Sequence, residues 1–424
     1  MISTSVNVES NVSGKTLSAV FDDFIVMIDY SSGEVTVLPS EEAHLVDSRP
    51  LYSFLTGKLD ELRLYCDRPA FRLHYGPLSS GIWEAGAFEV VSYGERILNV
   101  VPLCHYKRLG DGGRELIKVE GKEPEVALME VERICGTFSA SYSTAFTMAV
   151  ERIAGVEVDS NVKAARIAAV ELERIYNHVH AIYRVAVAAS QKVAVSHLLA
   201  LEEDVLRLNF RLFGHRYAFG FNRIGGVRLR DVKALSKLDA IEREFDELVE
   251  ELSVSKIFID RLHNTAKLSA EEIAELDAIG IAAKGSGVDR DVRKFSENYP
   301  GFKPVVKTDG DSLARILVRV DEVKQSISII RECEGELRAG GVKNGWDGWN
   351  AVEGEAMAFV ESPPGDLLMY VKLSGGRVEK FRVRGASAIN YLAFARGVEG
   401  NIFTDYPFAL ESFGLSFADA QGLL

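Results

Sequence analysis

Apolar residues recur at intervals of three and four through the middle of the chain, which predicts long helices between about residues 123 and 338. Four segments carry this pattern over enough residues to form several turns each: 162–187, 193–212, 232–262 and 312–338. Helices of that length bury their apolar faces against one another. We therefore expect a helical bundle with crossing angles near ~20° and a pocket at one end.

Short apolar runs separated by turn residues predict strands near both ends of the chain. Residues 20–30 and 35–37 flank the turn 31–34, and residues 88–103 form a hairpin around 92–96. Near the other end, residues 368–373 and 378–384 flank Ser374-Gly-Gly-Arg377, a strong hairpin signal, and residues 356–360 precede them. The expected class is α+β, mainly α, with antiparallel hairpins near the N- and C-terminal ends.

Charge and composition limit the kinds of partner and the cellular compartment that we expect for this protein. The 424 residues include 49 Lys and Arg against 62 Asp and Glu, a net charge of −13. This balance argues against nucleic acid as a main partner. No apolar run approaches the ~18–20 residues that span a bilayer, and the first residues lack the pattern of a secretory signal. Four cysteines with no close pair, Cys66, Cys104, Cys135 and Cys333, suggest a reducing compartment.

The most informative motif is Glu132-Arg-Ile-Cys-Gly-Thr-Phe138. It resembles the Arg-Ile-Cys-Gly-x-Cys motif of nickel–iron hydrogenase large subunits, a superfamily that includes the quinone-side large subunit of respiratory complex I. Further motifs that resemble this superfamily follow in the same order, from about His74 onwards. They are Glu171-Leu-Glu-Arg-Ile-Tyr-Asn-His178, Gly214-His-Arg216, Asn222-Arg-Ile-Gly-Gly-Val227, Ser286-Gly-Val-Asp-Arg-Asp-Val-Arg293 and Asp309-Gly-Asp-Ser-Leu-Ala-Arg315.

The positions of the hydrogenase metal ligands have changed. Cys135 keeps the first thiol, whereas Phe138 stands at the second, and Ser416 and Asp419 stand at the two C-terminal cysteine positions. Tyr142 replaces a histidine and Pro364 replaces an arginine over the metal. Because soft thiolates select nickel and low-valent iron, the resemblance implies that this chain binds no nickel–iron centre, and we expect no metal on it.

The contacts to quinone of the complex I branch have changed as well. Ser79 stands at the position of a histidine that faces the quinone head, and Phe146 at that of a tyrosine. Serine can still donate a hydrogen bond, but it cannot titrate near neutral pH as histidine does. A standard quinone site is therefore in doubt, and quinone remains a possible ligand.

The resemblance implies a large subunit of a membrane-associated, hydrogenase-related or complex I-like oxidoreductase, peripheral on the cytoplasmic side. Its partners would be a small subunit that carries iron–sulfur clusters and membrane-embedded subunits that pump ions. Residues 71–424 would form a domain like that of the large subunits. Residues 1–70, outside the resemblance, would form a small β-containing segment of unknown role.

Two mechanisms remain open within this interpretation. Either the ancestral pocket passes electrons to quinone or another small acceptor, with Tyr142 or Asp419 supplying protons, or the subunit is a coupling scaffold. The alternatives are a non-redox structural subunit and a true hydrogenase with an altered metal site. The expected pocket lining is Ser79, Cys135, Phe138, Tyr142, Phe146, Pro364, Ser416 and Asp419. On the 162–187 helix, Arg174 and His178 share a face, either lining a redox pocket or forming a buried structural pair.

Overall fold

A computed structural model describes residues 14–21, 23–47, 49–51, 70–76, 84, 86–103, 118–296, 299–339 and 352–420. Among these residues the helices are α1 Pro124–Val131, α2 Ser139–Ala154, α3 Ser160–Ala188, α4 Lys192–Phe213, α5 Leu238–Val254, α6 Lys256–Leu262, α7 Ala270–Glu275, α8 Gly280–Gly285, α9 Ser312–Ala339, α10 Ala386–Val398, α11 Tyr406–Phe413 and α12 Phe417–Ala420. The mainly helical α+β class is confirmed, and so are three of the four long helices, which are α3, α4 and α9.

The fourth predicted long helix, over 232–262, was wrong as a single element. The structure has a 3₁₀ turn at Val232–Lys237, then α5, then α6. The backbone at Ser255 is extended, and the Ser255 hydroxyl accepts a hydrogen bond from the Phe258 amide as an N-cap. The three- and four-residue apolar spacing also lapses between Leu252 and Phe258, both of which are buried. The chain therefore starts a new helix at this point.

Eleven strands lie in four small antiparallel sheets within the described part of the chain. They are β1 Thr16–Val20, β2 Phe24–Ile28, β3 Val35–Pro39, β4 Phe71–Tyr75, β5 Ala87–Tyr93, β6 Arg96–Leu103, β7 Asn222–Arg223, β8 Gly226–Val227, β9 Gly354–Ser362, β10 Gly365–Ser374 and β11 Arg377–Arg384. The predicted hairpins correspond to β5–β6 and β10–β11. The expected strand over residues 20–30 is shorter in the structure: residue 20 ends β1, and only β2 lies within the range, paired with β1.

The N-terminal sheet β1–β3 packs on the rest of the chain. The Tyr30 hydroxyl donates to the Asp366 carboxylate at 2.5 Å. Arg384 donates to the Ser18 carbonyl at 2.9 Å and forms a salt bridge with Asp366 at 2.6 Å. All of these groups are buried, and the hydrogen bonds of Tyr30 and Ser18 connect the N-terminal sheet to the ion pair between β10 and β11.

Two large apolar cores meet at helix α11, which contributes buried residues to both. The first joins α1–α6 and α9 to the sheet β9–β11. The second joins β1–β6 to α7, α8 and α10–α12. Helices α3 and α9 pack against each other more extensively than any other pair of elements in the described chain. This arrangement places the segment after α1 opposite the segment after α11, at the junction of the two cores.

No helix within the described residues is both long and apolar enough to cross a membrane.

Candidate functional site

The segments that carry the altered ligand positions meet at the junction of the two cores. Cys135 lies in the turn between α1 and α2, and Ser416 lies just before α12. The Cys135 sulfur is 3.5 Å from the Ser416 hydroxyl and 3.4 Å from the hydroxyl of Thr137. Two positions 281 residues apart in sequence are therefore in contact. Both correspond to ligand positions in the resemblance to hydrogenases.

The second contact between these segments joins Tyr142 of α2 to Asp419 of α12. The Tyr142 hydroxyl donates to Asp419 Oδ1 at 2.9 Å, and the Ser387 amide donates to Oδ2 at 2.7 Å. Neither side chain is exposed to solvent. Burial raises the pKa of both groups, and the charge of Asp419 raises the pKa of Tyr142 further.

Glu84, which no sequence pattern indicated, joins the same cluster. Its carboxylate accepts from the Ser416 hydroxyl at 2.8 Å and from the Ala418 amide at 3.1 Å. Both donors belong to the C-terminal segment, so Glu84 ties that segment to the β-rich part of the chain. Glu84 lies outside every motif quoted above, and no spacing rule in the sequence signals it.

A cavity of about 130 Å³ opens beside Ser416 and Phe138. We call it the junction cavity. Its wall combines apolar rings with charged groups, and its lining is Glu84, Thr137, Phe138, Asn177, His180, Ala181, Arg184, Arg319, Pro363, Tyr391, Leu410, Glu411, Gly414, Leu415, Ser416 and Phe417.

Aromatic packing shapes one wall of the junction cavity. The rings of Tyr391 and Phe417 stack with centroids 4.9 Å apart and planes inclined by 26°. Phe417 also lies so close to Gly86 that a Cβ there would come within 2.3 Å of the ring. Gly414, with φ +62°, ends α11 in the left-handed region and leaves room for the Arg319 guanidinium.

The predicted lining residues have different places in the structure. Phe138 and Ser416 line the junction cavity. Cys135 and Asp419 are buried and form hydrogen bonds with Ser416, and Tyr142 is buried and donates to Asp419. Pro363 lines the cavity, and the carbonyl of neighbouring Pro364 accepts from the Ile281 amide. Phe146 packs in the first core against Phe381, with ring centroids 6.2 Å apart. Ser79 lies outside the described residues.

Arg174 and His178, which share a face of α3, are both fully buried. Arg174 forms a salt bridge with Glu171 at 3.2 Å, and His178 lies 2.7 Å from Glu322. Neither of them lines the junction cavity. Of the two alternatives, the structure has the buried structural one, in which each residue bonds to its own glutamate.

These donors do not fit a nickel–iron centre. Phe138 offers no ligand atom, and the Ser416 and Asp419 oxygens are engaged in hydrogen bonds with Glu84, Tyr142 and Ser387. Burial, together with the nearby Asp419 and Glu84 carboxylates, raises the pKa of the Cys135 thiol. One thiol among hard oxygen atoms is a poor match for soft metals. Within the described residues, no three His, Cys, Asp or Glu side chains form a metal-binding group.

Comparison with known proteins shows what the chain resembles. Residues 193–347 match the family model described as "Respiratory-chain NADH dehydrogenase, 49 Kd subunit". The membrane-bound hydrogenase subunit alpha of Pyrococcus furiosus is 29% identical over 370 residues, covering 80% of this chain and 85% of the relative. A subunit of the NADH-quinone oxidoreductase of Anaeromyxobacter dehalogenans is 30% identical over 340 residues, covering 74% of this chain and 85% of that relative.

A solved structure shares the fold. One chain of the membrane-bound sulfane sulfur reductase, an archaeal respiratory membrane complex, superposes with a TM-score of 0.74 at 23% identity. The match covers 84% of this chain and 100% of that one. Together with the motif order and the contact between Cys135 and Ser416, these comparisons show that the chain belongs to the superfamily of the hydrogenase large subunits and the quinone-side large subunit of complex I.

Proposed function

We propose that this chain is the large subunit of a membrane-associated, complex I-like oxidoreductase in which a small acceptor is reduced at the junction cavity. Electrons would come from an iron–sulfur cluster in a partner subunit. The acceptor would be a quinone or another small molecule, and no nickel–iron centre would take part.

The observation that carries this proposal is the position of the junction cavity. It lies beside Ser416 and Phe138, two of the four positions that hold thiolates in hydrogenases. The apolar rings of Tyr391 and Phe417 offer a surface for a planar or apolar group. Arg319 and the ion pair between Arg184 and Glu411 offer fixed polar groups. Pockets that bind small molecules combine these two features, an apolar wall and a few fixed polar groups.

The names of the relatives support a membrane complex as the setting of this chain, since they are subunits of membrane-bound hydrogenase and of NADH-quinone oxidoreductase. We propose that the chain is a peripheral subunit on the cytoplasmic side of such a complex. A small iron–sulfur subunit and membrane-embedded, ion-pumping subunits would be its neighbours.

The test is to purify the native complex from membranes and assay it for iron, nickel and bound quinone. Iron and a stoichiometric quinone without nickel would support the proposal. One nickel per chain would overturn it in favour of a hydrogenase with an altered site.

A cavity-filling variant tests the location. Ala181 lines the junction cavity from α3, and Ala181→Phe should occupy it and abolish acceptor reduction. Val187 lies near the end of the same helix and is 42% exposed, so Val187→Phe is the matched control and should retain activity. Equal activity in both variants would show that the acceptor binds elsewhere.

The size of the cavity favours a second candidate, the coupling scaffold. About 130 Å³ is small beside the ~300 Å³ of the smallest common ligand pockets. A complex with iron–sulfur partners, but with neither nickel nor a reducible acceptor, would support this second candidate.

A further inference from the structure

Seven charged side chains form a cluster in the interior behind the junction cavity, and each is at most 2% exposed. We call them the charge cluster: Glu171, Arg174, Lys284, Asp291, Arg293, Glu322 and Glu361. The cluster joins helices α3, α8 and α9 to the end of strand β9. It contains four carboxyl groups and three cations.

The excess of one carboxyl has a physical consequence. A buried carboxylate is costly unless a cation compensates it, so a dehydrated cluster with one spare acid favours protonation of that acid. The proton should reside on the carboxyl group with the weakest compensation.

Contacts identify that carboxyl group. Glu171 and Asp291 each meet two cations, and Glu322 meets Lys284, Arg293 and Arg174. Glu361 meets one, Lys284, at 2.9 Å, among the side chains that the structure describes. Its other oxygen accepts only a neutral donor, the Val292 amide, at 3.1 Å.

We propose that Glu361 is the proton-binding member of the charge cluster, and that it takes up a proton when negative charge enters the junction cavity. The proton comes from solvent and converts the Glu361 carboxylate to the neutral acid. The electron passes from the reductant of the complex to the acceptor in the junction cavity. The proton bound at Glu361 therefore offsets the negative charge that the acceptor gains. This coupling role rests on the proposed function; the protonation of Glu361 does not.

The surroundings of Glu361 agree with this assignment. Lys284 of α8, Arg293 and Asp291 face it from one side, and Arg174 of α3 donates to its backbone carbonyl at 2.6 Å. Two further acids are near. Glu322 of α9 shares Lys284 with it, and Asp366, paired with Arg384, lies opposite on strand β10. Burial, and then the neighbouring Asp291, raises the pKa of Glu361 to about 7.

Two connections link the charge cluster to the junction cavity. Glu361 lies near the end of strand β9, and Pro363, which lines the cavity, directly follows that strand. The second connection begins at Arg319 of the cavity wall, which donates to His178 Nδ1 at 2.9 Å. Because an arginine only donates, Nδ1 must be the acceptor, and His178 Nε2 then donates to Glu322 at 2.7 Å. Glu322 reaches Glu361 through Lys284.

The first experiment titrates the purified full-length chain by difference infrared spectroscopy, following the carbonyl signal of protonated carboxyl groups across neutral pH. Wild-type protein should show a signal that disappears as the pH rises through neutrality. Glu361→Gln should lack the component of this signal that belongs to Glu361 and keep the rest. Persistence of the whole signal in that variant would overturn the proposal.

A second buried carboxyl group supplies the matched control. Glu173 accepts from the Ala140 and Ser141 amides at 2.7 and 3.1 Å, and burial raises its pKa to about 8. Glu173→Gln should remove a separate component and leave the Glu361 component intact. Should Glu361→Gln fail to fold, Glu361→Asp must shift that component, and an unshifted component would overturn the proposal equally.

The coupling is measured in the purified membrane complex, with dithionite as reductant and decylubiquinone as acceptor, after the direct reaction of the two reagents without protein is subtracted at each pH. The rate of quinone reduction should fall as the pH rises through neutrality in the wild type, and this dependence should be lost in Glu361→Gln. An unchanged pH profile would overturn the coupling. A complex that reduces no quinone counts against the proposed function, and the infrared titration of Glu361 then decides the protonation by itself.

Discussion

The Tyr142 hydroxyl donates a hydrogen bond to the Asp419 carboxylate across the junction of the two apolar cores, at 2.9 Å. The bond joins helix α2 to helix α12, where the sequence resemblance places a lost histidine and a lost cysteine. Both side chains are fully buried, so this contact holds the C-terminal segment in place where hydrogenases use a metal.

Tyr142→Phe should destabilise the protein by about 1–3 kcal/mol, because it leaves a buried carboxylate oxygen without its donor. Urea unfolding measures the loss, and a double-mutant cycle with Asp419→Ala isolates the pair. Tyr176→Phe is the control, since the Tyr176 hydroxyl donates to the Thr137 carbonyl instead. Its effect should add to that of Asp419→Ala. Additivity of Tyr142→Phe with Asp419→Ala would contradict the direct contact.

Gly86→Ala should destabilise the chain by about 1–3 kcal/mol, because the new Cβ would lie 2.3 Å from the Phe417 ring and force it away from Tyr391. Gly335→Ala provides the comparison. It lies in helix α9 with no atom within 4 Å of the added Cβ, so it should stabilise by roughly 0.5–1 kcal/mol. Thermal unfolding of both variants measures the difference, and a neutral Gly86→Ala would contradict the close packing of Phe417.

Lys284→Met should cost about 3–5 kcal/mol of unfolding free energy, because it removes a cation that three buried carboxylates share. Lys372→Met should cost less than about 1 kcal/mol, since the Lys372–Glu379 pair is on the surface. Denaturant unfolding at neutral pH compares the two. Similar costs for the two variants would mean that the charge cluster contributes no more than an exposed pair.

His178 should make the protein sensitive to acid. Burial lowers its pKa from 6.5 to about 3, so below pH 6.5 the unfolded chain binds a proton that the folded chain does not. Stability should therefore fall as the pH drops from 6.5 towards 3, and by about 2 kcal/mol between pH 6.5 and 5 from this residue alone.

His178→Gln should remove that part of the acid sensitivity. A glutamine can still accept from Arg319 and donate to Glu322, so the variant should remain folded at neutral pH. Unfolding free energies of both proteins at pH 7 and pH 5 test this. Parallel losses in the two proteins would show that His178 is already protonated in the folded state.

The sequence predicted the fold well where patterns are local. Neighbouring residues alone predict the helices α3, α4 and α9, through their apolar spacing, and the hairpin before β11, through its Gly-Gly turn. The motif order also anticipated the contact between Cys135 and Ser416, since the resemblance carries long-range information that no spacing rule holds.

The rest depended on tertiary packing. Nothing near Glu84 indicates that it reaches Ser416, 332 residues away. The sequence placed Phe146 at a pocket, whereas it packs against Phe381 in the core. Arg315 was visible as part of a helix motif, but it donates to Ser412 and to the Ala266 carbonyl on other elements. The charge cluster emerges only when α3, α8 and α9 come together.

The burial of Cys135 affects how readily its thiol is oxidised. Oxidants and alkylating reagents attack thiolates, and an inaccessible thiol that stays protonated is inert to them. Cys135 is 1% exposed, and the nearby Glu84 and Asp419 carboxylates oppose its ionisation. With Ser416 and Asp419 in place of neighbouring thiolates, Cys135 is thus a protonated, inaccessible thiol, and it should react slowly with oxidants in the folded protein.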